Sequence, residues 1–263
     1  MRLVLLLVLL WGSALAQPSA LDADDLINAI LAAEQAQRAA VVDVVYDAEL
    51  IEGEDKDGQF VEKDRFVKTV YVRYEPDTSY FAEEYLQYYH EGELQDSTET
   101  AKQAADRYEK KQKRNAKDVS WPMLRPFRPD MRERYEISYQ GLDQEEVPDF
   151  TCHHFRVMAR EKDEELINGD FYFETESFHL ARVDFSPSKL TKKTMFKMSR
   201  LDMTMICAPT AEGWWLPTEF HIAGQGKAMF LIGVSFEGTE YYRNPQINTG
   251  LSGRIFEDYH GDH

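Results

Sequence analysis

Two pairs of histidines in this chain could bind a metal ion, but neither pair has the arrangement that a metal site needs. His153 and His154 are neighbours in a predicted strand, so their side chains point to opposite faces of the sheet. His260 and His263 could hold a stray ion, although a frayed C-terminal tail explains them more simply. No Gly-x-Ser-x-Gly, His-Glu-x-x-His, Cys-x-x-Cys or phosphate-binding glycine loop occurs. The sequence therefore predicts no catalytic residue, no metal and no cofactor, in a protein that is not an enzyme.

The two cysteines of the chain, Cys152 and Cys207, both lie within predicted strands. Disulfides form in exported proteins, so an oxidising compartment would permit a bond between them. One such pair is not a disulfide framework, and two buried free thiols fit the sequence equally well. The sequence leaves both states open.

The N-terminus has the pattern of a secretory signal peptide. A single positive charge precedes an apolar run from Leu3 to Trp11 that is too short to span a bilayer comfortably, and Ala14-Leu15-Ala16 is a small-x-small cleavage signal. A buried N-terminal helix is the alternative, but it leaves the cleavage signal unexplained. We expect a signal peptide at residues 1–16 and a single exported domain at residues 17–263, located in the periplasm. No cysteine follows the apolar run, so the protein is not expected to be a lipoprotein itself.

The chain carries a formal net charge of −17 at pH 7. Nucleic acids and anionic membrane surfaces would repel such a chain, so neither is expected as a direct partner. The acidity could equally serve only to keep an exported protein in solution. Hydrophobic residues make up 43% of the chain and aromatic residues 13%, which is enough for a sizeable core in one domain.

The stretch from Cys152 to Tyr242 reads as consecutive strands with short turns. Between Gly169 and Phe185, two apolar-aromatic runs flank a polar connection, which predicts a hairpin with a loop of about four or five residues. Two later strands alternate sharply between apolar and polar positions. Their apolar positions are Trp214, Leu216, Phe220 and Ile222 in one strand and Ala228, Phe230, Ile232, Val234 and Phe236 in the next. A sheet with so apolar a face needs a cover.

Two predicted helices and one proline-rich segment are available to cover this face. The first helix, Leu21 to Ala40, has an apolar stripe, whereas the second, Ser97 to Lys117, is mostly charged and buries little. The segment from Val119 to Pro129 contains three prolines, which disfavour a regular strand. Its large apolar side chains are Trp121, Met123, Leu124 and Phe127. They form either a lid over the apolar face or an ordinary crossover that fills a closed core.

Four methionines lie within the eleven residues from Met195 to Met205. Methionine is common on surfaces that adapt to varied apolar ligands, although gap-filling in a core is its more frequent use. The whole chain reads as about ten antiparallel strands and two helices, without the alternation of a βαβ fold or a repeat of fixed period. We therefore predict an α+β fold.

The order of these elements, together with three short patterns, resembles a known superfamily. The patterns are Gly-Leu…Val-Pro…Cys-His-His-Phe-Arg-Val, Gly-Asp-Phe-Tyr-Phe-Glu…Leu-Ala-Arg-Val-Asp and Gly-Trp-Trp-Leu-Pro-Thr-Glu-Phe. With the export signal, first helix and helix–loop insertion, they resemble the LolA/LolB superfamily of bacterial lipoprotein carriers, which also contains the N-terminal domain of the envelope-stress regulator RseB. The resemblance covers most of residues 21–245 and implies a curved, incomplete antiparallel β-barrel with helices on its concave, apolar side. It assigns no specific functional residue to this chain.

The hypothesis that follows is a monomeric carrier for an acylated ligand, either a lipid or a lipoprotein, related to outer membrane lipoprotein sorting. A transport complex of the inner or outer membrane is a possible further partner. The residues predicted to line the ligand cavity or its lid are Trp121, Met123, Leu124, Phe127, Met203, Met205, Trp214, Leu216, Phe220, Phe230, Ile232 and Val234.

Two other classes of protein remain open at this point. An envelope sensor or protein-interaction module of the RseB type would use the same cleft to recognise a polypeptide or a lipid. A structural envelope protein would have the interior filled by its own side chains. An unfilled concave face would favour the first two classes over the third.

Overall fold

The computed structural model describes residues 22–56, 59–75, 79–112, 122–190, 192–193, 196–228 and 232–257. These residues form one antiparallel sheet of twelve strands, three α-helices and two short 3-10 helices. The strands are β1 (Asp43–Lys56), β2 (Gln59–Tyr74), β3 (Ser79–His90), β4 (Glu93–Leu94), β5 (Tyr135–Asp143), β6 (Cys152–Ala159), β7 (Ile167–Glu174), β8 (Leu180–Pro187), β9 (Lys192–Lys193), β10 (Phe196–Pro209), β11 (Trp215–Ala228) and β12 (Ile232–Ile247). The helices are α1 (Ala23–Ala40), α2 (Ser97–Gln112) and α3 (Arg254–Glu257), and the 3-10 helices span Pro122–Phe127 and Arg132–Arg134.

The sheet does not close on itself within the described residues. Its strand order is β4-β3-β2-β1-β12-β11-β10-β8-β7-β6-β5, with β9 paired to β10 beside this path. Strands β4 and β5 form the two edges, so the sheet is a curved, incomplete barrel. The predicted α+β fold and the open barrel implied by the resemblance are both confirmed. The strands beyond the predicted ten are β4 and β9, which have two residues each.

Helix α1 follows the predicted boundaries closely. Asp24 and Asp25 lie in its first turn, where the helix dipole favours acidic side chains, and Arg38 lies in its last turn. Leu26, Ile27 and Ile30 form its buried stripe, since each is only 1% exposed. The β-branched residues that follow Ala40 favour the extended backbone of β1.

Helix α2 begins at the predicted residue. The Asp96 side chain caps it by accepting hydrogen bonds from the backbone N–H groups of Thr98 and Glu99, both at 2.9 Å. The helix is described as far as Gln112, and the remainder of the predicted helix, residues 113–117, lies outside the described residues. Thr100 is buried, whereas most of the helix surface is exposed and polar.

A single row of residues in register crosses ten strands of the sheet, from β5 to β3. Because paired residues in adjacent strands lie on the same face, the whole row faces one side. The row consists of Tyr139, Phe155, Phe171, Val183, Met205, Phe220, Glu240, Leu50, Phe66 and Tyr88. This side carries α1, α2 and the first 3-10 helix, and we call it the concave face.

A second row runs beside the first on the concave face. It consists of Ile137, Val157, Gly169, Phe185, Met203, Ile222, Gly238, Glu52, Asp64 and His90. The row is apolar as far as β11 and acidic in β1 and β2. The concave face therefore changes from apolar to charged near the β12–β1 pair.

The C-terminal part of the described chain is fastened to β1 and β3. The Asp43 carboxylate accepts hydrogen bonds from the backbone N–H groups of Thr249, Gly250 and Leu251 and from the Thr249 hydroxyl. Phe256 of α3 is buried, with its ring centroid 6.1 Å from that of Tyr80. The sequence did not predict α3, because four residues are too few for helical periodicity to show.

Several local predictions are confirmed by the structure. β7 and β8 form the predicted hairpin, joined by the five residues 175–179. His153 and His154 point to opposite faces, since His153 stacks on Phe178 while His154 bonds to Asp170. Cys152 and Cys207 are free thiols buried in one cluster, which resolves the choice between disulfide and thiol in favour of the thiols. Among the described residues, no helix combines the length and apolarity needed to cross a membrane.

Candidate functional site: the open middle of the concave face

One end of the concave face is covered by α1 and the first 3-10 helix. Phe127 lies edge-to-face against three rings of the sheet, with centroid distances of 5.8 Å to Phe155, 5.2 Å to Phe171 and 5.4 Å to Phe173. Its side chain is 0% exposed, and Leu124 beside it is 7% exposed. This part of the sheet is an ordinary closed core.

The other end of the concave face is covered by α2. The Arg107 guanidinium carbon lies 3.8 Å above the ring of Phe66 in β2, and the same guanidinium forms an ion pair with Glu52 in β1. Phe66 in turn stacks on Tyr88 at a centroid distance of 4.8 Å. One arginine therefore holds much of a polar helix onto an aromatic pair.

The middle of the concave face is only partly covered. Met203, Met205, Phe220, Ile222 and Leu50, which occupy the two rows in β10, β11 and β1, are all half-buried rather than buried. We call these five residues the open middle. In the first row, the residues that flank the open middle are almost fully buried, with Phe171 and Val183 at 0% and Phe66 at 1% exposure.

Two glycines shape the floor of the open middle. Gly238 lies between Ile222 and Glu52 in the second row, and a Cβ added there would meet its nearest atoms at an ordinary 3.6 Å. At Gly224 an added Cβ would lie 2.3 Å from the ring of Phe236, so that ring lies directly across the glycine. The missing side chain of Gly238 leaves a shallow floor between Ile222 and Glu52, whereas the Phe236 ring fills the space over Gly224.

A buried ion triad adjoins the open middle. Lys68 Nζ lies 2.6 Å from Glu83 Oε1 and 2.7 Å from Glu240 Oε1, and the lysine side chain is 2% exposed. Burial lowers the pKa of Lys68, but Glu240 and Glu83 raise it by more, so the pKa is above its usual value and the lysine is charged. The Tyr85 hydroxyl donates a 2.9 Å hydrogen bond to Glu83.

The predicted site residues fall into three groups. Met203, Met205 and Phe220 belong to the open middle, and Val234 is 38% exposed on the neighbouring strand β12. Trp214 and Leu216 pack instead in a second core cluster with Val44 and Val72, at the far end of β11.

The remaining predicted residues are four in the proline-rich segment, together with Phe230 and Ile232. Leu124 and Phe127 are core residues in this structure, so a ligand could reach them only if the 3-10 helix moved. Trp121 and Phe230 lie outside the described residues, and only the backbone placement of Met123 and Ile232 is described.

Four residues of the site were absent from the prediction: Leu50, Ile222, Lys68 and Glu240. Ile222 had the right alternation in the sequence, and Lys68 shares the parity of Phe66 and Val70 in β2. The triad could have been suspected from the sequence, because Lys68 occupies a position that the alternation of β2 assigns to the apolar face. In the parts of the chain that the structure covers, no group of three His, Cys, Asp or Glu side chains could hold a metal ion.

No family model and no curated protein matches the sequence. Solved structures do match it. A domain from Vibrio parahaemolyticus described as an outer membrane lipoprotein-sorting protein is 10% identical, with 88% of this chain and 97% of that domain covered and a TM-score of 0.47. A LolA superfamily protein from Nitrosomonas europaea is 8% identical, with 88% and 96% covered and a TM-score of 0.37. The MucA/MucB complex of Pseudomonas aeruginosa contains a chain that is 8% identical, with 88% and 96% covered and a TM-score of 0.27.

Proposed function

We propose that this protein is a periplasmic carrier that binds the acyl chain of a lipid or lipoprotein in the open middle of its concave face. The observation that carries this proposal is the gradient of burial along the first row. Its ends are sealed by Phe127 and by Arg107, whereas Met205, Phe220 and Leu50 between them keep contact with solvent. Partly exposed apolar side chains at the centre of a concave surface are a typical ligand site.

The energetics of such a site favour acyl chains. Each methylene transferred from water to an apolar surface contributes roughly 0.8 kcal/mol, so even a half-covered chain of ten carbons gains several kcal/mol. Met203 and Met205 have flexible thioether side chains that can adjust to chains of different shape. Gly238 provides the space that a side chain would otherwise occupy.

The cellular setting belongs to the same proposal. The export pattern at residues 1–16 and the net charge of −17 support a periplasmic protein that works without direct contact with anionic membranes. A carrier of this kind would exchange its ligand with a donor or acceptor complex in the inner or outer membrane.

The test uses a neutral fluorescent probe and a matched pair of glycine variants. N-phenyl-1-naphthylamine becomes bright on apolar surfaces and would report binding to the purified protein. Gly238→Leu places a side chain in the open middle, whereas Gly233→Leu places one on the same strand where nothing lies within 4 Å of the added Cβ. We expect Gly238→Leu to weaken probe binding at least about tenfold, equivalent to 1.4 kcal/mol, and Gly233→Leu to leave it unchanged.

The same experiment can overturn the proposal. If wild-type protein gives no saturable fluorescence increase, or if both glycine variants bind the probe like wild type, the open middle is not a ligand site. Circular dichroism of both variants establishes that they are folded. A fully filled interior would then place the protein among structural envelope proteins.

A further inference from the structure

We propose that the loop between β7 and β8, residues 175–179, is an acid-sensitive latch that opens when His153 and His179 take up protons. We call this loop the latch. It belongs to the end of the concave face that α1 covers, because Phe178 packs against the core cluster that contains Leu26 of α1 and Phe127. The inference concerns this covered end and not the open middle, so it does not depend on the proposed function.

The backbone of the latch is held in a conformation that its sequence does not favour. Phe178 has a φ of 60°, in the left-handed region that a bulky side chain rarely adopts. The Glu174 carboxylate accepts hydrogen bonds from the backbone N–H groups of Glu176 at 2.9 Å and Ser177 at 2.7 Å. The N–H group of Phe178 donates a 2.9 Å bond to the backbone carbonyl of Glu174. Such a conformation persists only while its surroundings enforce it.

An imidazole connects each side of the latch to a neighbouring element. The ring of His153 in β6 is stacked on that of Phe178, with centroids 5.8 Å and planes 5° apart. His179, the last residue of the latch, lies against Trp215 of β11 at a centroid distance of 6.3 Å. Gln37 of α1 donates a 2.8 Å hydrogen bond to the backbone carbonyl of Trp215 and accepts a 2.9 Å bond from its N–H group. The latch is therefore linked to β6 through one histidine and towards α1 through the other.

These two imidazoles differ from the other histidines that the structure describes. The other three each lie beside a carboxylate oxygen, at 3.0 Å for His90, 2.7 Å for His154 and 3.8 Å for His221. Within the described part of the chain, neither His153 nor His179 forms an ion pair, and the Tyr139 hydroxyl that lies 3.0 Å from His153 Nδ1 is neutral. A proton on either ring therefore places a charge among buried or half-buried aromatic side chains, where it loses hydration.

Two carboxylates act on these rings, but each is already engaged. Glu174 acts on both imidazoles while its oxygens accept the N–H groups of the latch. Glu34 of α1 acts on His179 and pairs with Arg38 at 2.6 Å. Burial lowers the pKa of both imidazoles and the carboxylates raise it by less, so both pKa values lie below the ordinary 6.5. The stabilisation by neutral imidazoles is therefore complete above about pH 6.5 and is lost as the pH falls through the folded-state values.

The test measures backbone hydrogen exchange of residues 174–180 in the purified protein by mass spectrometry at pH 7 and pH 5, corrected for the intrinsic pH dependence of exchange. We expect the corrected rate to rise at least about threefold at the lower pH, while exchange in β1 stays unchanged. Glu174 does not contribute in this range. Burial raises its pKa, but hydrogen bonds from Glu176 and Ser177 lower it by more, so its pKa lies below the usual 4.5.

Two substitutions remove the titrating groups and keep the rings. The double variant His153→Phe, His179→Phe retains an aromatic side chain at each position but cannot take up a proton there, so we expect it to lose the acid-dependent acceleration. His221→Phe is the matched control, because His221 lies on the opposite face beside Glu237, and it should keep the acceleration. Proton NMR titration of the imidazole signals in the wild type provides a measurement that does not depend on the folding of any variant.

Three results would each overturn the proposal. The first is unchanged exchange in residues 174–180 of the wild type between the two pH values. The second is an equal acceleration in the wild type and the double variant. The third is an NMR pKa of 6.5 or above for both His153 and His179. None of these measurements includes a ligand, so the proposed function is tested separately by binding of N-phenyl-1-naphthylamine.

Discussion

Lys68 Nζ lies 2.7 Å from Glu240 Oε1, at the point where the concave face changes from apolar to charged side chains. A second carboxylate, that of Glu83, lies 2.6 Å from the same nitrogen. The lysine therefore joins β2 to β3 on one side and to β12 across β1 on the other. It stabilises the fold only as long as it remains charged, because both acids depend on it.

We expect Lys68→Met to destabilise the protein by about 3–5 kcal/mol at pH 7, since it removes the buried cation that both carboxylates contact. Methionine has nearly the length of lysine, so little packing is lost. Urea denaturation followed by tryptophan fluorescence measures the change. Part of the loss should be recovered in acid, because carboxyl protonation removes the repulsion between two neighbouring acids.

Lys63→Met is the control for this prediction, because Lys63 lies on the same strand and pairs with Glu91 at the surface. Exposed pairs contribute only about 0–1 kcal/mol, so this variant should resemble wild type. Equal effects of the two substitutions would contradict a special role for the buried triad.

Phe127→Ala should cost about 3–5 kcal/mol of stability, since it removes a fully buried ring that touches three aromatic neighbours and leaves a cavity. Leu94→Ala, at a position that is 59% exposed, should change stability by less than about 0.5 kcal/mol. Thermal and urea denaturation provide the measurement. A small effect of Phe127→Ala would show that this segment is a loose lid and not part of the core.

Arg107→Met should loosen α2 without unfolding the sheet, because Arg107 supplies both the ion pair with Glu52 and the contact over Phe66. Amide hydrogen exchange within α2 should then accelerate, while exchange in α1 stays unchanged. Lys102→Met, on the exposed side of the same helix, serves as the control. Unchanged exchange in α2 would mean that contacts other than Arg107 hold the helix in place.

Asp43 should make the protein sensitive to acid. Burial raises the pKa of Asp43, but the hydrogen bonds from Thr249, Leu251 and Gly250 lower it by more, so the folded-state pKa lies below the usual value of 3.8. The stabilisation is therefore complete above about pH 5 and is lost as the pH falls through the folded-state pKa. The urea midpoint of the wild type should exceed that of Asp43→Asn at pH 7, and the difference between the two midpoints should narrow towards pH 3. A gap that stays constant over this range would contradict the prediction.

Much of the fold could be predicted from the sequence because alternation determines which residues share a face. The alternation of Phe220 and Ile222 placed both on the apolar face, and the structure puts them in the open middle. The register between strands could not be predicted, because bulges such as the one between Ile206 and Cys207 shift the pairing. Because the row across ten strands is defined by the register, it could not be identified from the sequence.

The charged part of the site was missed for a different reason. A lysine in a strand is normally assigned to the solvent side, and the partners of Lys68 lie in two different strands, the adjacent β3 and the sequence-distant β12. The parity of Lys68 with Phe66 and of Glu240 with Phe236 was present in the sequence, but only the folded sheet brings the charges together. For Phe127, composition predicted burial but could not distinguish a permanent core from a movable lid.

The most direct test of the central claim is photo-crosslinking with a long-chain alcohol that carries a diazirine near its methyl end. We predict that peptide mapping finds the label on residues of the open middle, such as Met203, Phe220 and Ile222. Excess unlabelled dodecanol should abolish the labelling, and Gly238→Leu should reduce it. Label confined to the opposite face of the same strands, at His221 or Thr239, or label that excess ligand does not displace, would contradict the claim.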